Sequence, residues 1–236
     1  MDIEKKWGFP VVNAENVYKV LADMGVRPWP HVKPPMDLRD YMESPLTDEQ
    51  KGELRFAPKN EVVFLKQPNG KPYTGFRNVG KNWATVFTLL PDNLVPIVGE
   101  FKHGAEVISL VPPSGVPSKT EMDISSVMER MAACGLREFE EEAGIKLVRA
   151  RPLASEHGLP VSTRQSTQRC YPFLGEFALP IRQGPSKLDK TEHLKMVLIP
   201  LGEWMKLIMS GKVYEECAIS TTFLALAELD LIQILC

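Results

Sequence analysis

The sequence predicts a mixed α/β (α+β) fold, an α/β/α sandwich in which helices cover a mixed sheet and a helical extension precedes it. Three observations lead to this prediction. Short segments with alternating apolar residues, which are typical of strands, run through residues 61–111. A long segment with helical periodicity follows, and strand-like and helical segments then alternate to the end of the chain. This interleaving favours a layered architecture over a helical bundle or an all-β barrel.

The elements are predicted from local pattern, with Asn13 and Thr47 as helix caps. Two strand-like segments around Pro91-Asp92-Asn93 are expected to pair with each other as a hairpin. In chain order, the predicted elements are helices at Ala14–Met24 and Asp48–Leu54, strands at Val62–Lys66, Tyr73–Val79, Trp83–Leu90, Leu94–Phe101 and 106–111, a helix from Asp123 to Ala143, strands at Ile145–Val148, Cys170–Leu179 and His193–Ile199, and helices at Gly202–Met209 and Glu216–Ile234.

The chain has 236 residues, enough for one sizeable domain with an extension. Residues 1–60 are rich in proline, and we interpret them as an N-terminal extension that wraps the body or a partner. Residues 61–236 are expected to form the functional domain. The long helix within it is predicted to pack through an apolar stripe that runs beside a charged face.

Composition argues against several classes of partner and site. The net charge of −2 gives no electrostatic signature of nucleic-acid or membrane binding. No apolar run approaches the roughly 20 residues that span a bilayer, and the first residues lack the apolar core of a signal peptide. We therefore expect a soluble, cytoplasmic protein. The four cysteines and four histidines are scattered, which predicts reduced thiols and no histidine-based zinc site.

Three glutamates in the segment 137–145 carry the main chemical signal. On a helix, Glu138, Glu141 and Glu142 stand at i, i+3 and i+4 and therefore share one face, which we call the glutamate face. Arg137 precedes Glu141 by four residues, which allows a side-chain ion pair, and Gly144 is expected to end the helix. Like charges on neighbouring turns destabilise a helix, so the pattern indicates a bound cation such as Mg²⁺ or Mn²⁺. A solvated acidic helix end is the alternative.

The segment Arg137-Glu138-Phe139-x-Glu141-Glu142-x-Gly144-Ile145 resembles the second half of the Nudix box, R-E-U-x-E-E-x-G-U, in which U is a bulky apolar residue. Glu129 stands eight residues before Arg137, as the family pattern requires. The pattern's first glycine is replaced by Asp123, and Pro112-Pro113-Ser114-Gly115 instead resembles that glycine's usual setting. We interpret the difference as an eight-residue insertion between Gly115 and Glu129.

The resemblance implies a set of site residues. It implies catalytic roles for Arg137 and for the three glutamates of the helix face, with Glu192, before the last strand, as the general base. On a helix that begins at Asp123, Glu129 points away from the glutamate face, and Glu121 in the insertion is the alternative ligand. The implied metal ligands are Glu138, Glu141, Glu142, Glu129 and Gly115.

Segments outside the box, Glu100–Gly104 and Glu192–Glu216, resemble the ADP-ribose pyrophosphatase branch of this family. That branch implies a Mg²⁺-dependent hydrolase of a nucleoside diphosphate derivative, such as ADP-ribose or a nucleotide sugar, and a homodimer. The alternatives are a Nudix hydrolase of a dinucleoside polyphosphate, coenzyme A or a nucleoside triphosphate, and a nucleotide-binding module without activity. The candidate phosphate-binding residues are Lys102, His103, Arg164 and Arg169.

Overall fold

The structure is a computed structural model that describes residues 7–54, 59–163, 165–179, 181, 184, 186–188 and 193–232. By its internal contacts the chain divides into two compact units. The larger unit comprises the described parts of Met1–Pro28, Lys81–Val161 and Arg169–Cys236, and the smaller unit those of Trp29–Gly80 and Ser162–Gln168. The domain boundary expected at residue 60 stays a prediction, and these units are divided at other points.

Most predicted elements are present, with shifted ends. The strand predicted at Ile145–Val148 is wrong, because the strand in this part of the chain begins at Arg149. Within the described residues, the helices are α1 (Val17–Asp23), α2 (Leu38–Glu43), α3 (Asp48–Glu53), α4 (Val127–Ala143), α5 (Leu201–Met209) and α6 (Glu216–Glu228), and the strands are β1 (Lys59–Lys66), β2 (Pro72–Val79), β3 (Trp83–Phe87), β4 (Leu94–Lys102), β5 (Val107–Val111), β6 (Ser114–Gly115), β7 (Arg149–Pro152), β8 (Leu159–Pro160), β9 (Arg169–Glu176) and β10 (Leu194–Pro200).

The smaller unit contains α2, α3 and an antiparallel hairpin of β1 and β2. Helix α3 begins with a capping box, as the prediction of a Thr47 cap requires. The Thr47 hydroxyl accepts from the Gln50 N–H at 3.2 Å, and the Gln50 side chain accepts from the Thr47 N–H at 2.9 Å. Each bond satisfies a backbone donor at or next to the helix start.

Two sheets form the body of the larger unit. One has the antiparallel order β10-β4-β5, and the other has the order β6-β3-β9-β7, with β8 also paired to β9. Strands β3 and β9 are parallel and the remaining pairs are antiparallel, so the predicted mixed sheet is confirmed. The predicted hairpin of Trp83–Leu90 with Leu94–Phe101 is wrong, because β3 and β4 belong to different sheets. Alternating residues predict a strand but do not select its partner.

Helices cover both sheets and bury the core. Helix α4 packs against β3, β6, β7 and β9, while α6 packs against β3 and β9, and α5 against β4 and β10. Trp204 and Leu207 of α5 are fully buried. This layered arrangement confirms the predicted mixed α+β class.

The N-terminal segment contributes to this core. The Val12 N–H donates to the Leu198 carbonyl oxygen at 2.9 Å, so the segment runs along β10, and Val17 and Leu21 of α1 are fully buried. Helix α1 begins three residues later than predicted. The Asn13 side chain accepts from the N–H groups of Glu15 and Asn16, which forms a local turn ahead of the helix.

Candidate active site

Helix α4 presents the glutamate face, and both of its ends are fixed by caps. It begins at Val127, where the Ser126 hydroxyl accepts from the Glu129 N–H at 3.4 Å. The predicted cap at Asp123 is wrong, since Asp123 lies in a separate 3₁₀ turn, Glu121–Asp123. The predicted end at Gly144 is confirmed. Gly144 has φ of 63° and donates its N–H to the Glu140 carbonyl oxygen at 2.9 Å.

Arg137 lies at the centre of the charged cluster and joins three carboxylates. Its guanidinium contacts Glu141 at 2.6 Å, which is the predicted i, i+4 pair, and Glu138 at 2.8 Å. It also binds Glu121 through two hydrogen bonds, at 2.9 and 3.2 Å. The 116–126 segment, which includes the insertion, is therefore tied to the helix through a buried carboxylate that the sequence suggested only as a substitute ligand.

The cluster shifts the pKa values of its members. Burial opposes ionisation of Glu121, but hydrogen bonds from Arg137 and Ser118 outweigh it and lower the pKa of Glu121 below 4.5. Burial likewise disfavours the charged form of Arg137, yet Glu121, Glu138 and Glu141 raise its pKa above the ordinary value. Arg137 is therefore always charged. One guanidinium contacts three acidic side chains, and Glu142 adds a fourth carboxyl group to the same helix face.

Strand β6 packs against the carboxyl groups of Glu138 and Glu142. Glu138 and Glu142 are only 9% and 6% exposed, which rules out a solvated helix end at these positions. The Ser114 N–H donates to Glu142 Oε2 at 3.2 Å. A Cβ atom on Gly115 would lie far inside van der Waals contact with the Glu138 carboxylate, so any other residue at position 115 would displace that side chain. Gly115 thus supports the site through the space that it leaves.

Cys134 is a fully buried residue of α4 that contacts β6. Burial, together with the charges of Glu138 and Glu121, raises the pKa of its thiol to about 12. The protonated thiol donates to the Gly115 carbonyl oxygen at 3.3 Å. This contact uses one lone pair of the oxygen that the Nudix resemblance implies as a metal ligand.

The chemistry of the donor set fits a hard divalent cation. Carboxylate oxygens are the ligands that Mg²⁺ and Mn²⁺ prefer, and Glu138, Glu141 and Glu142 supply them from one helix face. Across the described ranges, however, no three Asp, Glu, His or Cys side chains converge closely enough to hold a metal ion. Arg137 accounts for this difference, because it engages the oxygens of Glu121, Glu138 and Glu141. Arg137 and a bound metal would therefore share the carboxylates of Glu138 and Glu141.

A cleft of about 360 Å³ opens over the glutamate face, and we call it the polar cleft. Lys187 was not identified from the sequence because it lies in a polar loop without a recognisable pattern. Its backbone N–H donates to the backbone carbonyl oxygen of Glu141 at 2.7 Å. The neighbouring Ser186 hydroxyl donates to the backbone carbonyl oxygen of Glu142 at 2.9 Å. The residues that line the cleft are Val116, Pro117, Ser118, Arg137, Glu138, Glu141 and Lys187.

The other predicted site residues do not line this cleft. Glu129 is exposed on the first turn of α4. Lys102 forms an ion pair with Glu100 on β4, and His103 is exposed in the turn after that strand. The Arg169 guanidinium donates to the His157 carbonyl oxygen at 2.8 Å. Arg164 and Glu192 lie outside the described residues, and the roles of all these residues stay predictions.

Comparisons with known proteins address the fold. No protein-family model matches the chain, and no curated protein matches it in sequence. Its fold matches 106 solved chains. One of them is the crystal structure of an ADP compounds hydrolase, with a TM-score of 0.58 and 21% identity over 74% of this chain and 87% of that chain. The likeness confirms a Nudix-like fold, while assignment to the ADP-ribose branch stays a prediction.

No helix in the described part of the chain is long and apolar enough to cross a membrane. The carboxylates gathered around Arg137 remain the feature of the structure that most directly suggests chemistry.

Proposed function

We propose that the protein is a metal-dependent pyrophosphohydrolase that cleaves the diphosphate bond of a nucleoside diphosphate derivative. ADP-ribose or a nucleotide sugar is the proposed substrate, and Mg²⁺ or Mn²⁺ the cofactor. The main observation in support is that Glu138 and Glu141 of the glutamate face line the polar cleft together with Arg137 and Lys187. The Nudix-like fold, shared with an ADP compounds hydrolase, also supports the proposal.

The reaction adds water to one phosphorus atom and breaks the bond from that phosphorus to the bridging oxygen. The products are a nucleoside monophosphate and a phosphorylated remainder. Glu138, Glu141 and Glu142 would hold the metal, which when bound neutralises phosphate oxygens and lowers the pKa of a bound water. Arg137 positions Glu138 and Glu141, and the Ser114 N–H positions Glu142. Glu192 is retained as the proposed general base on the family resemblance.

A substrate panel tests this proposal. The panel contains ADP-ribose, a nucleotide sugar, a dinucleoside polyphosphate, coenzyme A and a nucleoside triphosphate, each with Mg²⁺ or Mn²⁺, and a phosphatase converts the products to measurable phosphate. We expect turnover of ADP-ribose or the nucleotide sugar, abolished by a chelator and restored by added metal. Preferential turnover of the dinucleoside polyphosphate, coenzyme A or the nucleoside triphosphate would identify that compound's class as the substrate instead. Absence of turnover for every member, with metal binding demonstrated, would reject hydrolysis.

A nucleotide-binding module without catalysis is the second candidate. The observation that favours it is the engagement of three carboxylates by Arg137, which competes with metal binding. Calorimetry with ADP-ribose and Mg²⁺ distinguishes the two candidates. Binding without turnover identifies the module, whereas binding with turnover identifies the enzyme.

We also propose a homodimer, which rests on the resemblance to the ADP-ribose branch. Light scattering at several protein concentrations measures the mass in solution. A mass equal to twice the chain mass of 26.5 kDa is expected. A monomer at every concentration contradicts the proposal without affecting the hydrolase assignment.

A further inference from the structure

A second cleft lies beside the N-terminal end of α4, and we call it the apolar cleft. Its volume is about 340 Å³, within the range of small-molecule sites. Tyr171 and Met131 are buried side chains at its wall, while Met122 and Val127 are 55% and 40% exposed. A concave site with exposed apolar side chains is favourable for an apolar or aromatic group.

The two clefts share a wall. Val116, Pro117 and Ser118 line the polar cleft, and Pro117, Lys119 and Met122 line the apolar cleft. The 116–126 segment therefore lies between the clefts and contributes residues to both, with Pro117 shared. Lys119 follows Ser118 directly, which brings a cation to the junction between them.

Helix α4 sets the distance between the clefts. Arg130 and Met131 line the apolar cleft, and Arg137 and Glu138 line the polar cleft. Each residue in the first pair stands seven positions before its counterpart in the second pair. Seven residues make nearly two full turns, so the counterparts lie on the same side of the helix, about 10 Å apart along its axis. A nucleoside joined to a diphosphate can extend along such a path.

Polar groups at the apolar cleft suit a nucleobase. The Arg130 guanidinium donates to the Ile124 carbonyl oxygen at 2.7 and 3.1 Å, which fixes its plane beside the cleft. Guanidinium planes stack on aromatic rings. Asn82 accepts from the Arg169 N–H at 2.9 Å through Oδ1, so its amide is oriented and its Nδ2 group supplies donors for the edge of a base.

We infer that the apolar cleft holds the nucleobase of the substrate while the diphosphate occupies the polar cleft. Lys119 contacts the phosphate nearer the nucleoside, and Arg130, Met122 and Val127 contact the base. The inference rests on the proposed function, because it assigns the nucleoside part of that substrate to a position. It makes the 116–126 segment the element that determines substrate specificity.

Ligand binding tests the assignment without depending on catalysis. Calorimetry compares adenosine monophosphate with ribose 5-phosphate, which lacks the base. We expect tighter binding of adenosine monophosphate by the wild-type protein. The double variant Met122→Gln/Val127→Thr changes two exposed residues without adding charge, so the fold should tolerate it. It should weaken adenosine monophosphate binding about 10-fold, a typical effect of altered contacts in an apolar pocket, and leave ribose 5-phosphate binding unchanged.

Two further variants separate the base contact from other effects. Met209→Gln changes an exposed methionine outside the cleft and should leave binding of both ligands unchanged. Lys119→Gln should weaken both ligands by a similar factor, because its expected contact is with phosphate. These two results and the selective loss in the double variant together support the assignment.

The result that overturns the inference is adenosine monophosphate binding that is absent or insensitive to the double variant. If the substrate panel is still hydrolysed in that case, the proposed function stands and only the location of the base is rejected. If the panel is not hydrolysed but the selective loss is observed, the nucleobase site stands and hydrolysis is rejected.

Discussion

The two ends of helix α4 offer different environments to a ligand. At the C-terminal end, Glu138 and Glu141 meet Arg137 in a polar cleft that Lys187 also lines. At the N-terminal end, Val127 and Met131 border an apolar cleft. One rigid helix therefore fixes the spacing of a charged site and an apolar site. The sequence motif lies at the charged end of the helix, whereas the neighbouring 116–126 segment lines the apolar end, where the sequence has no motif.

The strongest test of the charged end removes one carboxylate. Glu142→Gln should lower activity at least about 100-fold, because even the residues that support metal ligands typically contribute 10–100-fold. The folded state should be retained, since glutamine can still accept from the Ser114 N–H. Glu140→Gln, on the same helix but not on the glutamate face, is the matched control and should keep wild-type activity. An inactive Glu142→Gln protein that is also unfolded would contradict the role assigned to this residue.

Gly115→Ala tests whether β6 shapes the charged end by leaving space. The added methyl group overlaps the Glu138 carboxylate, and forcing such atoms into a packed site costs about 1–3 kcal/mol. We expect this loss in the free energy of unfolding, measured with denaturant, and reduced activity from displacement of Glu138. Gly202→Ala meets no neighbouring atom and should not destabilise the protein. Equal stability of the two variants would reject the argument.

Glu121→Gln tests the connection between the 116–126 segment and the helix. Removing a carboxylate that binds Arg137 in a largely buried site should lower stability by about 1–2 kcal/mol, less than for a fully buried pair because Arg137 is partly exposed. The pKa of Glu121 is lower in the folded state than its ordinary value of 4.5. Its contribution is therefore fully present above pH 4.5 and is lost as the pH falls through the folded-state pKa. Unfolding at several pH values should show wild type and variant converging in acid, and a constant difference would exclude this cause.

The smallest expected effect concerns the start of the helix at the apolar end. Ser126→Ala removes the cap and should cost up to about 1 kcal/mol. Asp123→Ala should have little effect, because Asp123 lies in the preceding 3₁₀ turn and caps no helix. Thermal unfolding of both variants measures the difference. A larger loss for Asp123→Ala would restore the helix start that was predicted from the sequence.

The sequence alone predicted the chemical character of the C-terminal half of α4. Helical spacing placed Glu138, Glu141 and Glu142 together, and the i, i+4 relation predicted the pair of Arg137 with Glu141. Gly144 was predicted to end the helix because glycine adopts the left-handed conformation without strain. These features depend on residues within one or two turns of each other, so local geometry determines them.

Tertiary structure decided the surroundings of that helix face. Strand β6 buries Glu138 and Glu142, and Glu121 reaches Arg137 across sixteen residues of sequence. The chain also passes from one sheet to another between β3 and β4, where the local pattern predicted a hairpin. The apolar cleft joins Tyr171 of β9 to residues of α4 and of the 116–126 segment. Each of these features depends on contacts between distant parts of the chain, and local periodicity contains no information about which segments will meet.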